Sequence, residues 1–455
     1  MLNANPHLNL YAETGGKDAT IVTAVSDRDQ AIKHILHSAF SHAGQKCSAT
    51  SLLLLQDEVF YDQEFRRTLC EATQSLKVGS AWELDTKMGP LIRPPGGDLD
   101  TVLKVLEPGE EWALMPQPVE SNPNLWTPGI KYGVRPGSFT HMTEFFGPVL
   151  AVMRFTKLSE AVALVYQTGY GLTSGLESLD EREWEYWKEN IHAGNLYINR
   201  VTTGAVVLRQ PFGGHGKSSF GSGMKAGGPN YVAQFMDFTD APASKADSLP
   251  EAKTLAGLCE GLRAKKHPDA ERIIAAIGSY DRNGREEFCR AHDHFEPVGQ
   301  DNFRRYLPLS KVRVRVHAAD TDFEIFARVC AAHAAGCRVT VTTPTGMQSA
   351  AVALLEELTE SWAAAIEFVG ESDEKLAQAI SERQADRVRY AAPDRAPLPV
   401  IKAGCLAGGC VISTPVSAEG RLEMLWYLRE QSVSIDYHRY GNLGVRSNEK
   451  RADVL

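Results

Sequence analysis

A glutamate and a cysteine near the start of the chain have the side chains that covalent oxidation of an aldehyde requires. Glu13 begins the run ETGGK, and 34 residues later Cys47 ends the run GQKC. A thiolate adds to a carbonyl carbon and makes it tetrahedral, so that its hydrogen can leave as hydride. The thioester that remains needs water, which a carboxylate can activate near neutral pH. Cys47 and Glu13 are therefore candidates for the nucleophile and the general base.

A third run, EFFGPV at residues 144–149, begins 97 residues after Cys47. A single cysteine is usually a small buried hydrophobic residue and a single glutamate a solvated one, so the interpretation depends on the three runs together. In this order and at these spacings they resemble the aldehyde dehydrogenase superfamily. The resemblance implies that Cys47 is the nucleophile and Glu13 the general base. It also implies that Glu144 holds a ribose of the cofactor NAD and that Phe146 packs near its nicotinamide.

A glycine-rich stretch between residues 202 and 229 indicates the substrate class. The runs TTGAVVLRQPFGG and KAGGP in this stretch resemble the branch of the superfamily that oxidises L-glutamate γ-semialdehyde, formed from 1-pyrroline-5-carboxylate, to L-glutamate. The resemblance implies that Gly204, Ala205 and the aromatic face of Phe212 anchor the amino-acid end of the substrate. It implies that Ser48 contacts the substrate as well. Small side chains suit this role because they let backbone N–H groups approach a carboxylate.

The elements that position the candidate pair alternate between strand and helix. Residues 18–25 are rich in β-branched side chains and predict a strand. Apolar residues at helical spacing then predict a helix that ends at Gly44. Cys47 is therefore expected in the turn between this helix and an apolar strand at residues 52–55. The expected caps of the helix are Ser26 and Asp29.

A second series of strands and helices is expected toward the C-terminus. Alternating valines predict a strand at residues 312–316, followed by a helix to about residue 335 with Asp320 or Thr321 as its cap. The pattern continues with strand signals at residues 339–342, 366–369, 388–390 and 411–414. Such alternation is typical of α/β folds.

The predicted fold class is α/β, with an aldehyde dehydrogenase catalytic domain followed by a second α/β domain related to the dehydrogenase fold. We expect the catalytic domain and its substrate-anchoring loop at residues 1–240, a linker at 241–250 and the C-terminal domain at 251–455. The Rossmann-like cofactor domain is expected to be largely missing, because only twelve residues precede Glu13. Proximity effects are large, so the chain on its own is expected to be inactive.

The whole chain resembles the C-terminal part of the bifunctional proline utilization A family, in its longer form with an extra C-terminal domain. The resemblance implies a longer parent with the cofactor domain and a proline dehydrogenase part upstream. FAD would belong to that upstream part and not to this chain. A homo-oligomer is also implied. No catalytic residue is carried over to residues 251–455.

Composition excludes several other classes. The net charge of −9 and the lack of a long basic run argue against nucleic acid as a partner. Eight cysteines without C-x-x-C spacing indicate reduced thiols and a cytoplasmic protein. No apolar stretch approaches the roughly 18 residues of a membrane span. Cys405 and Cys410 lack further ligands at short spacing, so no metal site is predicted.

Three further patterns are interpreted as unrelated to function. The run GHGKS at residues 214–218 is similar to a Walker A loop, but proline occupies the position of its first glycine. The glycines at residues 221 and 223 imitate a dinucleotide fingerprint without the strand that should precede it. His34 and His37 lie off the apolar stripe of the predicted helix and are expected in solvent.

Two alternatives to the dehydrogenase stay open. The chain could be a non-catalytic module for structure or oligomerisation, although such a module has no need of both Glu13 and Cys47. It could also be an NAD-independent thiol esterase, which uses the same two residues. Hydrolysis of an activated ester that disappears with Cys47→Ala would favour the esterase.

Overall fold

The computed structural model describes residues 2, 4–119, 122–240 and 249–450. Within these ranges the strands are β1 (Ala12–Glu13), β2 (Asp18–Val22), β3 (Thr50–Gln56), β4 (Glu111–Leu114), β5 (Gly129–Tyr132), β6 (Val149–Phe155), β7 (Tyr170–Gly171), β8 (Thr173–Glu177), β9 (Asn195–Ile198), β10 (His215–Gly216), β11 (Ser219–Phe220), β12 (Gln300–Pro308), β13 (Val312–Arg315), β14 (Val339–Thr343), β15 (Ile366–Gly370), β16 (Arg387–Arg389), β17 (Val411–Ile412) and β18 (Leu428–Asp436).

The α-helices in the same ranges are α1 (Arg28–Phe40), α2 (Asp57–Phe60), α3 (Gln63–Gln74), α4 (Asp98–Lys104), α5 (Phe139–Met142), α6 (Leu158–Gln167), α7 (Glu181–Asn190), α8 (Lys253–Ala264), α9 (Ala270–Asn283), α10 (Asp322–Ala334), α11 (Ala350–Leu358), α12 (Asp373–Ser381), α13 (Leu398–Leu406) and α14 (Gly420–Glu423).

The larger sheet has nine strands in the spatial order β12-β18-β9-β8-β2-β3-β6-β5-β4. The strands from β18 to β5 run parallel, and only the two edge strands, β12 and β4, are antiparallel to their neighbours. Every residue of β2 is buried, and residues 52–55 of β3 are fully enclosed. Strands that are apolar on both faces are typical of a parallel sheet with cover on both sides. Two separate apolar clusters lie against this sheet and contain side chains from β3 and β6.

Helix α1 connects β2 to the segment that carries Cys47. Its N-cap is Asp27, whose carboxylate accepts a hydrogen bond from the Gln30 N–H at 3.2 Å, so the predicted caps were wrong by one or two residues. His34 does not lie in solvent as expected: a 2.9 Å hydrogen bond joins its Nδ1 to Glu177, and only 14% of its side chain is exposed. His37 is exposed, as expected.

The smaller sheet has five parallel strands in the order β15-β14-β13-β16-β17. Helix α10 connects β13 to β14 and begins after Thr321, whose side chain caps it, so the predicted βαβ unit is confirmed. This is the strand order of a doubly wound sheet. The ligand crevice of such a sheet would lie between β13 and β16, which are its first and fourth strands in chain order. Here Arg328 lies between them and donates hydrogen bonds to the carbonyls of Arg315 and Arg389 and to Asp320.

The two halves of the chain share the larger sheet. Strand β18 pairs in parallel with β9 along Ser432–Ile435, and β12 covers the outer edge of β18. Val433 and Ile435 are 2% and 5% exposed and pack into the core beneath β9. The C-terminal region therefore completes the sheet of the preceding region. Of the predicted linker, residues 241–248 lie outside the described residues.

Among the described residues, no helix combines the length and the apolar character that crossing a membrane demands. The same ranges contain no cluster of three or more His, Cys, Asp or Glu side chains arranged to hold a metal ion.

Candidate active site

Glu13 lies at the end of a short strand, with its carboxylate directed at the glycine-rich stretch. Strand β1 pairs with β11 in antiparallel register, which places Glu13 opposite Ser219. Glu13 Oε2 accepts a hydrogen bond from the Gly214 N–H at 2.8 Å. Burial raises the pKa of Glu13, and the Gly214 N–H and the Lys225 ammonium only partly offset this effect. A carboxylate with a raised pKa is a stronger base, as the proposed activation of water requires.

Lys225 is the cation that faces Glu13. Burial lowers the pKa of Lys225 to about 8, and the charges of Glu13 and Glu430 oppose this decrease. Its ammonium donates a hydrogen bond to the Gly213 carbonyl, and its backbone N–H donates to Glu430 Oε2 at 2.9 Å. The sequence shows Lys225 only as the first residue of KAGGP, and it offers no signal for Glu430, which lies 205 residues further along the chain.

Cys47 is an exposed free cysteine in the turn between α1 and β3, as predicted. Helix α1 ends at Phe40, after which His42, Ala43 and Gly44 have φ values of 54°, 55° and 69°. Such left-handed backbone is costly for residues other than glycine and is concentrated at functional sites. It turns the chain sharply before the cysteine.

The surroundings of Cys47 disfavour its thiolate. Although the residue as a whole is exposed, partial burial of its sulfur raises the pKa above the ordinary value, and the negative charges of Asp18 and Glu13 raise it further. The backbone N–H groups of Cys47 and Ser48 act in the opposite direction. The influence of Glu13 on this pKa means that the two candidate residues are electrostatic neighbours.

Direct hydrogen bonds connect the three sequence runs. The Gly16 N–H of the first run donates to Glu144 Oε1 of the third at 3.1 Å. Gln45 Nε2 of the second run donates to the carbonyl of Phe146 at 3.1 Å. Gly15 has a φ of 121°, and a Cβ there would lie 2.3 Å from Glu144 Oε2. The positive φ favours glycine here, and a side chain would also displace the Glu144 carboxylate, which explains one of the two glycines of ETGGK.

The candidate cofactor residues differ in their exposure. Glu144 is half-buried, and burial raises its pKa while Gly16 and Lys17 lower it. Phe146 is 39% exposed and has a φ of 53°. Beneath them Lys17 is buried with its ammonium 4.1 Å from the centre of the Phe145 ring. Burial lowers the pKa of Lys17 to about 7.

The candidate substrate residues are only partly brought together. Phe212 exchanges backbone hydrogen bonds with Ala226 at 2.8 and 3.0 Å, and it lines a cavity of about 50 Å³ together with Glu13. Ser48 is buried beside Cys47, and its carbonyl accepts a hydrogen bond from Thr202 at 3.0 Å. Gly204 and Ala205 are exposed and lie outside the lining of that cavity.

Comparisons with known proteins agree with these motifs. Residues 3–240 match the profile of the aldehyde dehydrogenase family. A 1-pyrroline-5-carboxylate dehydrogenase of Bacillus cytotoxicus is 39% identical over 230 residues, which are 50% of this chain and 44% of that protein. Its counterpart in Bacillus subtilis is 36% identical over the same length. The chain thus spans less than half the length of these relatives.

A solved structure is similar to nearly the whole chain. Proline utilization A from Corynebacterium freiburgense has 37% sequence identity and a TM-score of 0.78, over 97% of this chain and 40% of its own. This coverage extends the match well beyond residues 3–240, which the family profile covers. The predicted resemblance and α/β fold class are confirmed. The chain belongs to the aldehyde dehydrogenase family.

Proposed function

We propose that this chain supplies the nucleophile and the general base of an NAD-dependent L-glutamate γ-semialdehyde dehydrogenase of proline catabolism. The observation that carries the proposal is the joining of the three runs by the Gly16–Glu144 and Gln45–Phe146 hydrogen bonds. These contacts support the assignment of the candidate base, nucleophile and cofactor residues to one site. The names of the relatives, 1-pyrroline-5-carboxylate dehydrogenase and proline utilization A, support the substrate and the longer bifunctional parent.

Cys47 begins the reaction. Because its pKa is raised, the thiol must pass its proton to water as the sulfur attacks the aldehyde carbon. The backbone N–H groups of Cys47 and Ser48 stabilise negative charge at the sulfur. After the carbon has lost its hydride, the substrate is held on Cys47 as a thioester. Glu13 then removes a proton from water, and the hydroxyl adds to the thioester carbon and releases L-glutamate with the free thiol.

The glycine-rich stretch anchors the substrate in this proposal. Phe212 lines the cavity beside Glu13 and presents its ring to the aliphatic part of the substrate. Gly204 and Ala205 offer backbone N–H groups to the α-carboxylate, and the φ of 85° at Gly204 is a conformation that glycine adopts readily. Ser48, adjacent to the nucleophile, contacts the same molecule.

The residues present fit the nicotinamide end of NAD. Glu144 is fixed by the Gly16 N–H, so its free oxygen is available to a ribose hydroxyl, and the exposed ring of Phe146 offers a flat apolar face. NAD, when bound, accepts the hydride. Gly15 permits this arrangement because a side chain there would displace the Glu144 carboxylate. We assign the remaining contacts to the cofactor domain of the longer parent.

The 455-residue chain alone is expected to form no NADH from L-glutamate γ-semialdehyde and NAD. Holding two reactants in place is worth about 7–11 kcal/mol, and this chain spans only 44% of the length of the Bacillus cytotoxicus dehydrogenase. NADH formation that Cys47→Ser abolishes would overturn this expectation. The homo-oligomer and the cytoplasmic location stay predictions.

Protection of Cys47 from alkylation tests the substrate assignment without the cofactor. Cys47 and Cys289 are both exposed, so Cys289 serves as the control within the same molecule. We expect L-glutamate γ-semialdehyde to slow iodoacetamide labelling of Cys47 and not of Cys289, as read by peptide mass spectrometry. Butanal, which lacks the amino-acid end, should protect much less. Equal protection by both aldehydes would refute the proposed anchoring of the amino-acid end. Absence of any protection would refute the assignment of Cys47 as the nucleophile.

The thiol esterase remains the second candidate, because Cys47 is exposed and Glu13 is present without any need for the cofactor. Selective protection by the semialdehyde would favour the dehydrogenase over it. If the chain is a non-catalytic module, Cys47 should react with iodoacetamide like an ordinary exposed cysteine, and Glu13 should not affect that reaction.

A further inference from the structure

A second cavity, of about 340 Å³, lies between the glycine-rich stretch and the C-terminal domain. One wall is formed by residues 214–217 and 219–223, and the other by residues from α12, α13 and the segments that follow them. Neither Glu13 nor Cys47 lines this cavity. The walls include the GHGKS run and the neighbourhood of Cys405 and Cys410, which the proposed dehydrogenase leaves without a role.

The lining of this interdomain cavity is strongly basic. Its cations are Lys217, Arg383, Arg387 and Arg429, and its carboxylate is Asp386. Helices α12 and α13 also end here, and each C-terminus contributes about half a negative charge. The positive side chains exceed all of these negative contributions together, so the cavity favours an anion.

Arg387 is the central cation and is incompletely satisfied. Its side chain is buried, with the residue only 3% exposed. Its Nη2 donates a hydrogen bond to the carbonyl of Ser222 at 2.8 Å, whereas Nε and Nη1 have no acceptor among the described residues. Burial lowers the pKa of Arg387 to about 10, so it remains charged at neutral pH. Buried guanidinium donors without partners are costly unless an acceptor is supplied.

The other two arginines also retain binding capacity. Arg383 is exposed, and its guanidinium has neither a hydrogen bond nor an ion pair among the described residues. Arg429 lies 3.6 Å from Asp386, which is a loose ion pair. Asp386 is already engaged, because it accepts hydrogen bonds from the Ser310 hydroxyl at 2.7 Å and the Lys311 N–H at 3.0 Å.

We propose that the interdomain cavity binds a small molecule that carries a phosphate or carboxylate group, held by Arg383, Arg387 and Arg429. Guanidinium groups bind such oxyanions through paired, charge-assisted hydrogen bonds. The cavity has room for more than one isolated oxyanion, so the remainder of a small metabolite fits beside the charged group. The site joins the two halves of the chain and does not depend on dehydrogenase activity.

Occupation of this site connects to the candidate active site through shared lining residues, among them Gly214. Gly214 lines the interdomain cavity, and its N–H is the donor to Glu13. A ligand that contacts both halves binds the folded chain and not the unfolded one, so it stabilises the fold in proportion to its affinity.

Calorimetric titration of the 455-residue chain with inorganic phosphate, and separately with malonate, tests the proposal at constant ionic strength. We expect saturable binding of at least one probe. In Arg383→Gln the affinity for that probe should fall by about tenfold or more. Arg93→Gln is the matched control, because Arg93 is another exposed arginine but lies outside the cavity. Phosphate binding alone would identify a phosphorylated ligand, and malonate binding alone a carboxylate.

Arg387→Met provides the second variant and should abolish the binding. Should it fail to fold, Arg383→Gln decides, because that exposed side chain makes no hydrogen bond or ion pair in the described structure. Absence of saturable binding by either probe, or unchanged binding in Arg383→Gln, would overturn the proposal.

Discussion

The carboxylate of Glu430, on strand β18, accepts a hydrogen bond from the backbone N–H of Lys225 at 2.9 Å. Its other oxygen accepts from the side chain of Asn230, which also donates to Tyr306 at 2.8 Å. All of these groups are buried. A strand near the C-terminus therefore holds the loop whose lysine faces the candidate general base.

Glu430→Ala should destabilise the chain by about 1–3 kcal/mol, because it leaves the buried Lys225 N–H without an acceptor and the Asn230 amide with only Tyr306. Glu430→Gln keeps one acceptor oxygen and should cost less. Urea unfolding followed by fluorescence measures both. Equal losses for the two substitutions would indicate that the charge, and not the hydrogen bond to the loop, is what matters.

Glu13→Gln should speed alkylation of Cys47 at pH values below the thiol pKa. Burial is the main cause of the raised pKa of Cys47, but the charge of Glu13 contributes, so its removal favours the thiolate. The pH profile of iodoacetamide labelling should move to lower pH. Glu144→Gln is the control, since Glu144 is not among the charges that raise this pKa. A profile that both substitutions move equally would contradict the pairing of Glu13 with Cys47.

Burial of Lys17 lowers the free energy of unfolding by an amount that depends on pH, and Lys17→Met should remove this destabilisation. The folded pKa of Lys17 is about 7, against an ordinary value of 10.5, so between these limits the unfolded chain binds the extra proton. The stability of the wild type should therefore rise with pH across this window relative to the variant, and the full penalty is present below about pH 7. Urea midpoints of both proteins near pH 7 and near pH 9 test this. A constant difference would mean that Lys17 keeps its proton in the folded state.

Gly44→Ala should destabilise the turn that leads to Cys47 by about 1–3 kcal/mol or more. Gly44 has a φ of 69°, and an added Cβ would lie 2.3 Å from the carbonyl oxygen of Gly147, where backbone cannot easily move. Gly96→Ala is the matched control, because no atom lies within 4 Å of a Cβ at that position. Thermal unfolding should separate the two variants clearly, and similar midpoints would argue against the close approach of the two runs.

Local patterns in the sequence predicted the individual elements well. The strand before α1, the position of Cys47 in a turn and the βαβ unit after residue 312 all follow from side-chain periodicity, which reports burial directly. The cap of α1 was missed because Ser26, Asp27 and Asp29 are all acceptable caps, and only the backbone decides among them.

Contacts across long separations were not predictable in this way. The pairing of β18 with β9 crosses more than two hundred residues, and neither strand encodes its partner. His34 was expected in solvent because the helical stripe shows only which face meets the core. Its partner Glu177 lies on β8, a strand whose position beside α1 depends on the whole sheet. Lys225 and Glu430 were missed for the same reason.

Acylation of the chain by 4-nitrophenyl acetate tests the central claim, that Cys47 is the nucleophile and Glu13 its general base, most directly. We predict a burst of nitrophenolate that is absent in Cys47→Ala, followed by slow turnover. In Glu13→Gln the burst should persist, while deacylation falls by about 10²-fold or more and acetyl-Cys47 accumulates in intact-protein mass spectra. Deacylation in Glu13→Gln at the rate of the wild type, or a burst that survives Cys47→Ala, would contradict the assignment of these two residues.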